Sequence, residues 1–171
     1  MKQQQFWKNP RQAHGGAQAK GKRKTARVIV TKHPMHIVFK SERAKGEWSF
    51  HRFKKPIQRS LEDTAKRFRI KVRLFQNVGN HLHLAIQGAS RREIQNFLRV
   101  FAQAIAFLVT KTKKGKPIGR FWEGLVYTRP IHWGRDWDNV RQYFEKNAIE
   151  SAGLPREIVD RIYAEVRVAW S

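Results

Sequence analysis

Two strand-like segments joined by only two residues constrain the fold more than any other feature of this chain. Residues 70–78 and 81–87 are rich in the β-branched, aromatic and leucine side chains that strands favour, and Gly79 and Asn80 lie between them. Because a two-residue loop is too short for a crossover connection, the two segments are predicted to form an antiparallel hairpin.

The second strand of this hairpin carries two histidines on one face. Side chains alternate along a strand, so Leu82, Leu84 and Ile86 share one face and His81 and His83 share the other. Such a pair can bind a divalent cation if a third ligand comes from elsewhere in the fold, and an oxygen ligand would suit Mg²⁺ or Mn²⁺. The alternative is an exposed strand face that happens to carry two histidines.

The remaining periodicities place the hairpin inside a larger sheet. Further strands are predicted at residues 35–41 and 121–131, and helices at 54–69, 91–112 and 136–149, with a last helix reaching residue 170. This order predicts an α+β fold, a central antiparallel sheet of four to five strands with packed helices. The helix–strand order is that of the ferredoxin-like or RRM-like split βαβ arrangement.

Length and composition predict one domain with appendages. With 171 residues, of which 40% are hydrophobic, the chain can bury one core of ordinary size. We expect a disordered basic arm at residues 1–32, a folded domain at 33–154 and an appended helix at 155–171. The sequence has no apolar run of membrane-spanning length and no secretory signal, which predicts a cytoplasmic protein without a membrane partner. Since it has no cysteine, thiolate metal sites and disulfides are excluded.

The charge of the chain predicts a polyanionic partner. Its 36 lysines and arginines against 13 acidic residues give a net charge of +23, for which nucleic acid is the default partner. A basic protein of the ribosome or of a membrane surface is the alternative. The candidate nucleic-acid-binding residues are Lys22, Arg23, Lys24, Lys40, Arg43, Lys113, Lys114, Lys116, Arg120, Trp122 and Arg129. Trp133 and Trp137, like Trp122, offer stacking surfaces for bases, with packing inside the protein as the alternative.

One of the three tyrosines differs from the other two. Tyr127 lies in a predicted strand and Tyr163 on the apolar face of the last helix, whereas Tyr143 is predicted on a polar helix face with Asn139 and Asn147. The opposite, core-facing stripe of that helix consists of Trp137, Val140, Phe144 and Ala148. A tyrosine on a polar face is the best candidate nucleophile in a chain without cysteine.

Asn147 follows Tyr143 by one helical turn, so the two side chains project together. An amide oxygen is a competent ligand for a hard cation. If this helix packs beside the histidine strand, Asn147 completes a three-ligand site with His81 and His83, and Tyr143 lies over the cation.

This pattern resembles that of the single-tyrosine HUH transposases, and within them the REP-associated tyrosine transposases and small insertion-sequence transposases. The shared features are a His-hydrophobic-His strand, a tyrosine about sixty residues later on a helix and an amide one turn beyond it. Residues 36–39 are similar to the opening strand of that family, 119–123 to its Gly-x-hydrophobic-Trp segment and 142–154 to its tyrosine block. The resemblance covers roughly residues 33–154, and Ala148 stands where the family usually has proline.

The resemblance implies an HUH endonuclease fold and a metal-dependent DNA strand-transfer activity. It implies His81, His83 and Asn147 as ligands of Mg²⁺ or Mn²⁺ and Tyr143 as the nucleophile. The enzyme would cleave and rejoin single-stranded DNA at hairpin or palindromic sites through a 5′-phosphotyrosine, as a monomer or homodimer, bound to the nucleoid of a bacterium. This function requires Tyr143 to lie within about 8 Å of the histidine pair.

Two other functions are compatible with the same residues. A non-catalytic protein that binds DNA or RNA hairpins would use the charge and the aromatic side chains without any metal. A zinc hydrolase would add His36 or His132 to the histidine pair, although no nearby carboxylate is an obvious general base.

Overall fold

The computed structural model describes residues 13–16, 21, 26–112, 119–151 and 157. The strands are β1 (Met35–Lys40), β2 (Lys71–Asn77), β3 (His81–Gln87) and β4 (Tyr127–Pro130), and the α-helices are α1 (Lys54–Arg67), α2 (Arg91–Thr110) and α3 (Arg135–Ser151). Two short 3₁₀ turns, Gly46–Trp48 and Phe50–Phe53, connect β1 to α1. Apart from Glu157, the predicted C-terminal helix lies outside the described residues.

The four strands form one antiparallel sheet in the order β2-β3-β1-β4. This order confirms the predicted α+β fold and its split βαβ arrangement. β2 and β3 form the predicted hairpin, and β1 enters between β3 and β4. In the register of β1 and β3, Ile37 lies opposite Leu84 and Val38 opposite His83, so apolar side chains and histidines occupy opposite faces of the sheet.

The apolar face of the sheet forms the main core with α1 and α2. Leu82, Leu84 and Ile86 of β3 are fully buried there, as are the side chains that α2 directs inward, Ile94, Phe97, Phe101 and Ile105. Helix α2 starts where its sequence predicts, because Ser90 Oγ accepts a hydrogen bond from Glu93 N at 3.2 Å while Ser90 N donates to Glu93 Oε2 at 3.1 Å.

Helix α3 covers the histidine face of the sheet. Val140 and Phe144 are buried in a second cluster with Ala85 and Ile131, and Trp137 packs against it. Ala148, predicted in the same stripe, is exposed. The last turn of α3 instead meets β2 through polar side chains, since Gln76 Nε2 donates to Ser151 Oγ at 2.9 Å.

Strand β4 is shorter than the predicted strand at residues 121–131. The segment before it is a turn, which the Arg120 side chain stabilises by donating from Nε to the Trp122 carbonyl at 3.1 Å and from Nη2 to the Glu123 carbonyl at 3.0 Å. These two backbone carbonyl groups therefore accept hydrogen bonds within the turn.

Some described residues of the N-terminal arm, His14, Gly16 and Arg27, bond to residues 125–128. His14 and Thr128 exchange two backbone hydrogen bonds, of 2.9 and 2.8 Å. Arg27 Nη1 donates to the Val126 carbonyl at 2.9 Å and to Thr128 Oγ1 at 3.0 Å. At Gly15, where φ is +80°, a Cβ atom would collide with the Val126 carbonyl oxygen, so only glycine fits.

In the described part of the chain, each helix is too short or too polar to cross a lipid bilayer.

Substitution of Leu84 tests the position of the main core. Leu84 is fully buried at the centre of β3, so Leu84→Ala should lower the free energy of unfolding by about 2–5 kcal/mol through lost burial and a residual cavity. Leu125→Ala is the matched control, because Leu125 is 60% exposed and should change stability by no more than about 0.5 kcal/mol. Urea denaturation measures both, and equal losses in the two variants would contradict this core.

Candidate active site

Three imidazoles form a row across β3 and β1. The rings of His81 and His83 are nearly parallel, with centroids 5.8 Å apart and an interplanar angle of 14°. His36 on β1 continues the row on the other side of His83, at 5.8 Å and 19°. The sequence places His36 beside the histidine pair only under the zinc-hydrolase alternative. The alternation along residues 35–40 indicates its face, but only the register of β1 against β3 reveals its neighbour.

Tyr143 on α3 lies edge-on against this row. Its ring centroid is 5.5 Å from that of His83, at an interplanar angle of 73°, and 6.0 Å from that of His36, at 72°. Phe144, the next residue, packs against the same two imidazoles. Tyr143 is half-buried beside the second cluster and not on a purely polar face. The structure thus brings a tyrosine ring within 6 Å of the centre of the histidine row.

A second tyrosine approaches the end of the row. The ring of Tyr127 on β4 lies 5.9 Å from that of His36, at an angle of 77°. Burial raises the pKa of the Tyr127 hydroxyl above its usual value, which makes its phenolate less accessible. Tyr163, the third tyrosine of the sequence, lies outside the described residues.

Burial keeps the imidazoles of the row neutral at physiological pH. It lowers the pKa of His36 to about 3, with a further contribution from the positive charge of Arg129. The pKa of His83 lies well below its usual value because of burial and then because of its two neighbouring histidines. Burial also lowers the pKa of His81, with help from Lys40. Neutral imidazoles have a lone pair to offer to a cation.

The hydrogen bonds of the rings indicate which nitrogen atoms are available. His81 Nδ1 lies in hydrogen-bond contact with Asn80 Oδ1; because an amide oxygen only accepts, Nδ1 carries the proton and Nε2 keeps the lone pair. His83 Nδ1 is buried and has no hydrogen-bond partner among the described residues.

Asn147 lies one helical turn beyond Tyr143, as predicted, and is half-buried. Its Nδ2 atom is buried without a hydrogen-bond partner in the described part of the structure. Amide nitrogen and oxygen exchange places when the group rotates by 180°, and Oδ1 in that place could accept a cation. No three His, Cys, Asp or Glu side chains converge on a metal site within the described ranges. A metal site that includes the row therefore needs a donor of another residue type.

An ion pair anchors the N-terminal end of α3. Arg129 on β4 donates from Nη1 and Nη2 to the two carboxylate oxygens of Asp136, at 2.9 and 3.0 Å, and His132 N donates to the same carboxylate at 2.9 Å. Arg129 is only 6% exposed. Its position argues against the predicted contact with nucleic acid and indicates that it instead fixes the helix that carries Tyr143.

The other candidate nucleic-acid-binding residues have different surroundings. Lys40 pairs with Glu123 at 2.9 Å. The exposed Arg43 lies over the ring of Trp48, and its Nη1 donates to the carbonyl of the exposed Arg120 at 3.5 Å.

Trp122 packs inside the protein. It donates from Nε1 to the Ala102 carbonyl at 3.0 Å, and its ring lies 5.6 Å from that of Phe39. These contacts favour the packing alternative over base stacking. The remaining candidates, Lys22, Arg23, Lys24, Lys113, Lys114 and Lys116, lie outside the described residues.

Among known proteins, the chain is similar only to solved structures. No family model and no curated protein matches the chain. The fold is similar to the crystal structure of a candidate transposase from Deinococcus radiodurans R1, with a TM-score of 0.44 and 14% sequence identity over 73% of this chain and 98% of that one. This similarity is too low to indicate a function.

The neutral state of His36 predicts a pH-dependent stability of the metal-free protein. In the unfolded chain an imidazole takes up a proton near pH 6.5, whereas the pKa of His36 in the fold is about 3. The unfolded state therefore binds more protons between these values, and the free energy of unfolding should fall as the pH decreases below about 6.5. His36 alone contributes up to about 1.4 kcal/mol per pH unit.

Urea denaturation between pH 6.5 and pH 4, an interval that lies between the two pKa values of about 6.5 and 3, measures this slope. His36→Leu should make it shallower, whereas His51→Leu, at an exposed histidine, serves as the control and should keep it. An unchanged slope in His36→Leu would show that His36 is not buried in the neutral form.

Proposed function

We propose that this protein is a metal-dependent enzyme that cleaves and rejoins single-stranded DNA through a covalent bond to Tyr143. The observation that carries the proposal is the contact of the Tyr143 ring with the buried His83, the middle member of a row of neutral imidazoles. A tyrosine, two imidazoles and an amide are the groups that the resemblance to the single-tyrosine HUH transposases implies. All four come from β3 and α3 of one chain.

The chain's own residues suit Mg²⁺ or Mn²⁺ held by His81, His83 and Asn147. When bound, the cation would polarise the scissile phosphate and stabilise the charge that develops on it. Asn80 holds His81 in the tautomer that leaves Nε2 unprotonated. Burial keeps His83 neutral, so neither ligand would have to lose a proton on binding the cation.

The reaction is a transesterification. Tyr143 Oη loses its proton and attacks the phosphorus atom, a phosphotyrosine bond forms at the 5′ side, and the bond to the 3′ oxygen breaks. The 3′ oxygen leaves as a hydroxyl group after taking up a proton. Attack by a 3′ hydroxyl of another strand reverses these steps and rejoins DNA, so that no nucleoside triphosphate is consumed.

The charge and the packing of α3 support a DNA substrate and a site within one chain. A net charge of +23 favours a polyanion, and the exposed Arg43 and Arg120 lie together near the end of β1. We propose single-stranded or hairpin DNA because the site needs a backbone that can bend around it. Since α3 packs on the sheet of its own chain, a monomer would suffice for the chemistry.

The assignment of the nucleophile is tested with two matched tyrosine substitutions. Incubation with single-stranded hairpin DNA and Mn²⁺ should yield a protein–DNA adduct that survives a denaturing gel. Tyr143→Phe should abolish the adduct because no oxygen remains to attack phosphorus. Tyr127→Phe should retain it, since the Tyr127 ring contacts His36 from β4 but has no part in the proposed chemistry. An adduct that persists in Tyr143→Phe would refute the assignment.

Chelation of the metal should abolish the same adduct. Binding that continues without any adduct in all conditions, and that is unchanged when His81 and His83 are both replaced by alanine, would favour the non-catalytic hairpin-binding protein instead.

Direct titration with Mn²⁺ tests the ligand set without relying on catalysis. Asn147→Ala should weaken Mn²⁺ binding by at least about tenfold, because even the partners of metal ligands contribute that much. Asn139→Ala, an exposed amide on the same helix, should leave the affinity unchanged. Electron paramagnetic resonance of the free ion measures both, and equal affinities in the two variants would exclude Asn147 as a ligand.

A further inference from the structure

We propose that the indole of Trp133 is a stacking platform for one unpaired base of a single-stranded DNA. The inference deepens the proposed function and rests on it only for the choice of DNA. Trp133 lies in the turn just before α3 and remains 46% exposed, one of few large apolar side chains on the surface of the described residues. It belongs to neither core cluster, whereas Trp137 packs against the second one.

Two side chains support the indole from the protein side. The guanidinium carbon of Arg73 lies 5.2 Å from the Trp133 ring centroid, within the range of a cation–π contact. The Trp137 ring lies 5.2 Å away, tilted by 58°. These contacts cover part of the Trp133 ring, and the exposed remainder is a π surface on which a base can stack.

Arg73 is itself held in place. The pairing of β2 with β3 shifts register between Val72 and Leu74, which leaves Arg73 as the extra residue of a β-bulge, a feature that redirects a side chain. Arg73 Nη2 donates to Gln87 Oε1 at 2.8 Å, and Gln87 Nε2 donates to the Thr31 carbonyl at 3.3 Å. Because the indole is held before a ligand arrives, stacking on it would cost little conformational entropy.

The surroundings favour a nucleotide over a protein partner. Two exposed cations are near neighbours in sequence of the residues that form the platform: Lys71 precedes Arg73 by two residues in β2, and Arg135 follows Trp133 by two. Protein interfaces exclude charge from their centres, whereas single-strand sites combine aromatic surfaces with cations that follow the backbone. Trp137, the indole's neighbour, precedes Tyr143 by six residues of α3, about 9 Å along the axis. The platform therefore lies beside the N-terminal part of the helix that carries Tyr143.

The test measures binding alone, in a Tyr143→Phe background that forms no adduct. Fluorescence anisotropy with a labelled single strand of about 15 nucleotides should show Trp133→Leu binding roughly 5- to 150-fold more weakly, the loss expected for one stacked base. Trp133→Phe should keep most of the affinity because a ring remains. Phe107→Leu is the matched control, since Phe107 on α2 is also 46% exposed but lies on the opposite side of the sheet.

A second arm locates the base. Oligonucleotides that each lack one base are compared for binding to Tyr143→Phe and to the same protein with Trp133→Leu. At one position, the missing base should lower the affinity of the first protein but not that of the second. Double-stranded DNA of the same sequence should bind both proteins equally, because its bases are already stacked.

Unchanged single-strand affinity in Trp133→Leu would overturn the inference, as would an equal loss in Phe107→Leu. It would also fail if Trp133→Leu altered only the oligomeric state, or only the binding of a matched RNA strand. The adduct assay distinguishes the two proposals. A single-strand affinity that depends on Trp133, without any adduct, would refute the catalytic function and support the platform. An adduct together with a single-strand affinity that does not depend on Trp133 would support the catalytic function and refute the platform.

Discussion

The antiparallel register of β1 against β3 is the constraint on which the rest of this structure depends. With Ile37 opposite Leu84 and Val38 opposite His83, one face of the strands enters the main core and the other carries the imidazoles. A slip by one residue would exchange the two faces and direct the histidines under α1 and α2. The hydrophobic effect that buries Leu84 therefore also fixes the position of His83. The stability of the core and the geometry of the site depend on the same register.

The parts of the fold that could be predicted from the sequence depend on near neighbours. The cap formed by Ser90 and Glu93 fixes the start of α2, and the short turn at Gly79 fixes the hairpin. The short β4 and the bonds between the arm and β4 could not be predicted, because they join distant residues. Those of His14 with Thr128 leave no periodic signal in the sequence.

The same distinction applies to the site. The spacing of the histidines and of Tyr143 and Asn147 is local, so the sequence could predict which side chains share a face of a strand or helix. The sequence does not show that α3 packs on the sheet. The contact of Tyr143 with His83 depends on that packing, so it could be predicted only as a condition. The sequence offers His36 as a neighbour of the pair only in an alternative interpretation, because strand register is not visible in it. The sequence predicts Arg129 as a nucleic-acid contact because nothing local indicates its pairing with Asp136.

The two edges of the sheet are protected in different ways, with a consequence for self-association. The arm bonds to β4 at Thr128, and the bulge at Arg73 interrupts the row of backbone donors and acceptors along β2. Both features hinder the addition of a strand from another molecule. While the chain is free, its charge of +23 keeps copies apart. A bound polyanion would neutralise that repulsion and crowd many copies along one molecule, so these edges would then have to prevent aggregation by shape alone.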